Sequence, residues 1–149
     1  MKRLLLIPLL TLCLPANADT YCGAGSGSIP DGSGTLTWTI EVPETTTITT
    51  KVLLMTRITH PWMGDLSLRL TAPDGATAML LDRPGMPNGG WIGPWGCGGD
   101  DVDGMFNDEA GTTAEDMCST TAVPVISGNI LPAEPLSALD GHPAQGIWT

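Results

Sequence analysis

Hydrophobic residues in this chain recur at every second position rather than every third or fourth. The clearest stretch is Leu66-Ser67-Leu68-Arg69-Leu70, where the leucines share one face while Ser67 and Arg69 take the other. That period of two belongs to a strand packed on one side. Upstream, Thr45 to Thr59 is dense in Thr, Ile and Val; within it Val52, Leu54 and Ile58 face one way and Lys51, Arg57 and Thr59 the other. Leu36 to Val42 has the same character, and such residues suit a pleated, half-buried surface. Pro73-Asp74-Gly75 supplies a turn, Pro fixing φ and Gly permitting positive φ, so that Ala78 to Leu81 returns as the second arm of a hairpin. Asp82 to Gly99 reads as a long Gly/Pro loop holding Trp91 and Trp95, and only Thr113 to Met117 suits a short helical turn. Strands at short spacing joined by Gly/Pro turns predict an all-β sandwich.

Residues 1–18 stand apart from this pattern. Met1-Lys2-Arg3 is a cationic start, Leu4 to Leu14 an apolar run, and Ala16-Asn17-Ala18 an A-x-A cleavage signal. The run is too short to span a bilayer as a helix. The sequence therefore predicts a signal peptide over 1–18, a Gly/Ser-rich lead-in over 19–28 and one domain over 29–149, secreted or periplasmic, with no membrane association after cleavage.

Sixteen acids face six bases, for a net charge of −10. Loss of Lys2 and Arg3 with the leader makes the mature chain more acidic still, and no Lys or Arg follows Arg83. Such a surface repels phosphate backbones, which argues against nucleic acid and anionic membrane as partners.

Of the four cysteines, Cys13 leaves with the leader. Cys97 and Cys118 flank one acidic segment and are the natural disulfide pair, which leaves Cys22 unpaired. Between them lies the best candidate metal site: Asp100, Asp101, Asp103, Asp108 and Glu109 on a Gly-containing loop with Asn107. Ca²⁺ takes about six to eight oxygen ligands, which carboxylates and loop carbonyls can supply. The EF-hand pattern fails, since no third Asp or Asn follows Asp103 before the glycine. The alternative is a solvated acidic loop held by the disulfide.

Four pieces in order carry a family resemblance. Residues 58–82 read ITHPWMGDLSLRLTAPDGATAMLLD; then come Met105-Phe106-Asn107-Asp108-Glu109-Ala110, Leu139-Asp140-Gly141 and Gly146-Ile147-Trp148-Thr149. Over roughly Ile29 to Thr149 the chain resembles the P domain (P/Homo B domain) found beside subtilisin-like proprotein convertases. The resemblance implies a jelly-roll-like antiparallel β-sandwich and a non-catalytic module that supports a protease's folding, stability and calcium or pH response. It also implies a further turn and strand after the Gly-x-Trp-Thr element, so the expectation is a sandwich missing its last strand or strands, with a Cys22 partner among them. A leader running almost directly into the module places no protease domain before it.

No catalytic residues are expected. His60 is followed by Pro61 rather than Gly, Asp31-Gly32-Ser33-Gly34 lacks the context of a subtilisin-type site, and there is no G-x-S-x-G, HExxH or P-loop. His60 and His142 with the cysteines make no zinc spacing. Asp65 reads as a structural acceptor of turn amides. Trp38 and Trp148 fall in strand-like runs and read as core; Trp62, Trp91 and Trp95 sit in loops, where they either pack over a sandwich end or form a platform for a sugar or peptide. The expected partner is a protease or other secreted protein. The rival reading is a calcium-dependent carbohydrate-binding or adhesion module, with a glycan as partner.

Overall fold

The computed structural model describes residues 19–23, 27–30, 34–43, 48–85, 96–118 and 122–149. Seven strands form within them: β1 (Ile40–Val42), β2 (Leu54–Ile58), β3 (Ser67–Thr71), β4 (Thr77–Asp82), β5 (Val102–Phe106), β6 (Ile126–Ile130) and β7 (Gly146–Trp148). One turn of helix, α1 (Ala114–Met117), and two 3₁₀ turns, Met63–Asp65 and Leu136–Leu139, complete the order. The fold is an all-β sandwich. Every one of these strands contributes to a single core, through Val42, Ile58, Leu70, Leu80, Val102, Ile126 and Trp148 among others.

The β3–β4 hairpin forms where the alternation placed it. Leu66 and Leu70 are buried and Ser67 and Arg69 exposed. The turn closes through Ala72 N–H on the Ala76 carbonyl at 2.7 Å, with Gly75 at φ +92°. A bulge then shifts the register: Leu68 pairs with Leu81, but Arg69 pairs with Met79. Leu80 is the extra residue, and so Leu80 and Leu81 are both buried although adjacent. Strict alternation would have turned one of them to water.

β2 pairs antiparallel with β5, and β5 pairs parallel with β6. The core pairs are Val102 with Ile126 and Phe106 with Ile130, all fully buried. The parallel ladder departs from the antiparallel sandwich that the resemblance implied. Its cause is connectivity: parallel neighbours need a long crossover, and residues 107–125, which include α1, provide it. Gly104 faces Gly128 across this ladder, and a Cβ on Gly104 would stand 2.6 Å from the Gly128 carbonyl oxygen.

β1 pairs with β7, setting Ile40 against Trp148, whose Nε1 donates to the Ala144 carbonyl at 2.8 Å. Thr71 and Thr149 exchange backbone hydrogen bonds at 2.7 and 3.0 Å, which joins β3 to the segment leaving β7. The outer edge of β4 is covered by the segment between Pro132 and Pro135. There the Glu134 amide donates to the Met79 carbonyl, and the Glu134 carboxylate accepts from the Met79 amide. Covering an edge in this way removes a template for wrong pairing.

Candidate functional site

The end of the sandwich where β2 leads into β3 gathers several of the residues singled out by the sequence. His60 follows β2, and its amide donates to Asp101 Oδ1 at 2.9 Å while Asp101 N–H returns to the His60 carbonyl at 3.0 Å. Asp101 holds φ at +67°, a left-handed conformation that Asp tolerates better than most residues. The His60 ring turns back on its own chain, with Nδ1 2.8 Å from the Trp62 carbonyl and 3.1 Å from the Trp62 amide. Met63 and Gly64 then donate to the carbonyls of Gly99 and Cys97. Gly64 and Gly85 both lie against the Cys97 backbone, where a Cβ would meet Cys97 N at 2.6 and 2.7 Å. Two positions without side chains thus let Cys97 into the core.

Cys97 is disulfide-bonded to Cys118, the pairing read from their position around the acidic segment. Cys22 is exposed and free. Trp62 is half-buried, and its ring lies on Gly98. Trp91, Trp95 and residues 1–18 fall outside the described residues. Trp38 and Trp148 pack on or in the core. Asp65 is exposed, and its carboxylate has no partner among the described residues.

The acidic residues are distributed over separate tasks. Asp100 uses its carbonyl to accept from Val125 N–H at 2.8 Å. Asp103 lies beside Arg57 at 3.5 Å, across the β2–β5 ladder. Glu109 pairs with Lys51 at 2.7 Å. Asp108 accepts from the amides of Leu136 and Ser137 at 2.7 and 2.8 Å, capping the second 3₁₀ turn from a distant part of the chain. Burial opposes ionisation of Asp108, but those two amides, the Ser137 hydroxyl and the Lys51 charge outweigh it and hold its pKa below the ordinary value. No group of three or more His, Cys, Asp or Glu side chains among the described residues is placed to hold a metal ion.

Lys51, Val52, Asp108, Glu109, Ser137 and Asp140 are among the residues lining an open hollow of about 290 Å³. Elsewhere, His142 Nδ1 lies 2.7 Å from Asp74 Oδ2, tying the β3–β4 turn to the segment before β7. That hydrogen bond, with a second from Ala76 N–H, holds the Asp74 pKa below its ordinary value. Sequence reading missed both the Asp108 cap and the Asp74–His142 tie. Each joins residues far apart in the chain, and no local pattern announces them. No helix among the described residues is long and apolar enough to cross a membrane.

No curated protein and no solved structure matches the chain at a significant level. A family model does match residues 49–95, the stretch that holds β2, the first 3₁₀ turn and the β3–β4 hairpin. That model describes the proprotein convertase P-domain, so residues 49–95 are similar to that domain, which supports the resemblance drawn from the sequence.

Proposed function

We propose that this chain is a secreted, non-catalytic P-domain module that binds and stabilises an exported protein, in the first instance a subtilisin-like serine endopeptidase. The match over residues 49–95 carries the reading, because its described part, residues 49–85, is scaffold: a strand, a turn and a hairpin built around leucines. The Cys97–Cys118 disulfide supports it, since such bonds persist in oxidising compartments. Stabilisation in this reading is mass action: a module that binds the folded protease and not the unfolded one raises the protease's stability with concentration.

The test uses the full chain immobilised and exposed to the secreted proteins of its source, followed by a fluorophosphonate probe that labels active serine hydrolases. The expected result is a labelled protein among those captured, and no label on the chain itself. Capture without any labelled hydrolase removes the protease as partner. Labelling of the chain overturns the non-catalytic assignment.

A further inference from the structure

The solvent side of β2 carries a pattern that the fold does not use. Exposure alternates from Lys51 to Thr59, so Lys51, Leu53, Met55 and Arg57 stand outward while Val52, Leu54, Thr56 and Ile58 turn inward. Met55 is 76% exposed and Leu53 48%. β2 also lies at the edge of its sheet, with β5 as its hydrogen-bonded neighbour among the described residues. Among the described residues the outer edge of β2 has no paired strand, and β2 with the residues leading into it sets an apolar pair between two cations, in a chain where acids outnumber bases sixteen to six.

Both cations are paired within the chain, but at exposed positions. The side chains of Lys51 and Arg57 are 50% and 81% exposed despite their contacts with Glu109 and Asp103, and exposed pairs are weakly held. Charges on an edge strand can serve simply to block wrong pairing. That purpose explains Lys51 and Arg57 but not the exposed Leu53 and Met55 between them, which invite pairing. A second copy of β2 is a poor occupant: the antiparallel register that sets Leu53 against Met55 also sets Lys51 against Arg57 at both ends. Like charges directly opposite destabilise a strand pair. The complement is a strand with the reverse ends.

We infer that the outer edge of β2 is a docking site for an extended segment of a partner protein, its alternate apolar side chains bounded by carboxylates. The backbone of such a segment extends the sheet while its side chains supply the specificity. Its apolar residues lie beside Leu53 and Met55, and its carboxylates reach Lys51 and Arg57. The assignment stands on the strand itself and holds whether or not the partner is a protease.

The experiment uses the full chain and two dye-labelled peptides, Glu-Thr-Val-Thr-Ile-Thr-Glu and its lysine-ended counterpart, read by fluorescence anisotropy. The acid-ended peptide is expected to bind about tenfold more tightly, and the preference should shrink at about 0.5 M salt, where the Debye length is only a few ångströms. Lys51→Glu with Arg57→Glu inverts the preference and lowers the melting temperature modestly, since a glutamate at position 57 then faces Asp103 and one at position 51 nears Glu109, and Met55→Ser weakens both peptides. Equal binding of the two peptides, or binding of neither, overturns the assignment. So does a preference that survives the double charge reversal. Self-association lost on Met55→Ser would make the edge a homotypic contact instead. Amides of β2 that are as protected from hydrogen exchange without peptide as with it would show the edge already covered by the chain's own segments.

Discussion

Replacing Asp108 separates two roles that one carboxylate could have in this chain. As a cap, it satisfies the Leu136 and Ser137 amides at 2.7 and 2.8 Å and so holds the turn that buries Leu136 and Leu139. Loss of a capping side chain costs about 0.5–2 kcal/mol, and a hydrogen bond to a charged group contributes about 1.5–3 kcal/mol. Ser137 is exposed, so its amide finds water once the cap is gone, and about 2 kcal/mol for Asp108→Ala is the reasonable sum. For a domain of this size that lowers Tm by about 4–8 °C. Asp108→Asn keeps an acceptor oxygen and should lose less. The folded-state pKa of Asp108 lies below the ordinary 3.8, so its contribution is fully present above that value and is lost as pH falls through the depressed one. The gap between wild type and Asp108→Ala should therefore be open at neutral pH and close in strong acid, whereas the difference between Asp108→Asn and Asp108→Ala, neither of which titrates at this position, should not follow that trend. Melting curves in EDTA and in millimolar calcium complete the assay. A gap that is the same in both belongs to a cap. A gap that appears only with calcium makes Asp108 a ligand, and a gap independent of pH refutes the reasoning outright.

Three further outcomes concern the β5–β6 ladder and the cysteines. Gly104→Ala places a methyl group against the Gly128 backbone, which cannot move aside without opening the β5–β6 ladder. It should destabilise by about 1–3 kcal/mol, read as a shift in denaturant midpoint; an unchanged midpoint would mean the ladder is looser than described. Under denaturing, non-reducing conditions a thiol reagent should modify Cys22 and spare Cys97 and Cys118. Replacing both cysteines of the disulfide by Ser should cost about 3 kcal/mol in the chain-entropy account, and labelling of Cys97 in the denatured, non-reduced protein would overturn the pairing.

Leu66, Leu68 and Leu70 could be placed from sequence because one-sided burial writes itself as alternation. Leu80 and Leu81 could not, since the bulge that buries both breaks the period that would reveal them. β6 was hidden for a different reason. Of its residues only Ile126 and Ile130, at the ends, are buried; Ser127, Gly128 and Asn129 between them are exposed, leaving no alternation to read. Cys97 and Cys118 declared themselves by bracketing one segment. The acids of that segment did not declare their tasks, because the partners that decide them, Lys51, Arg57, Leu136 and Ser137, come from other parts of the chain.

The ladders also imply an order of assembly. β3 and β4 meet across a tight turn, and local pairings of this kind form within microseconds. β6 can join β5 only after the crossover has closed, and β1 must find β7 across nearly the whole domain, Ile40 against Trp148. Contacts so distant in sequence slow folding, because loop-closure entropy is lost before they form. The hairpin should therefore be the first native piece to appear and the β1–β7 seam the last, with the sandwich open along that seam in between.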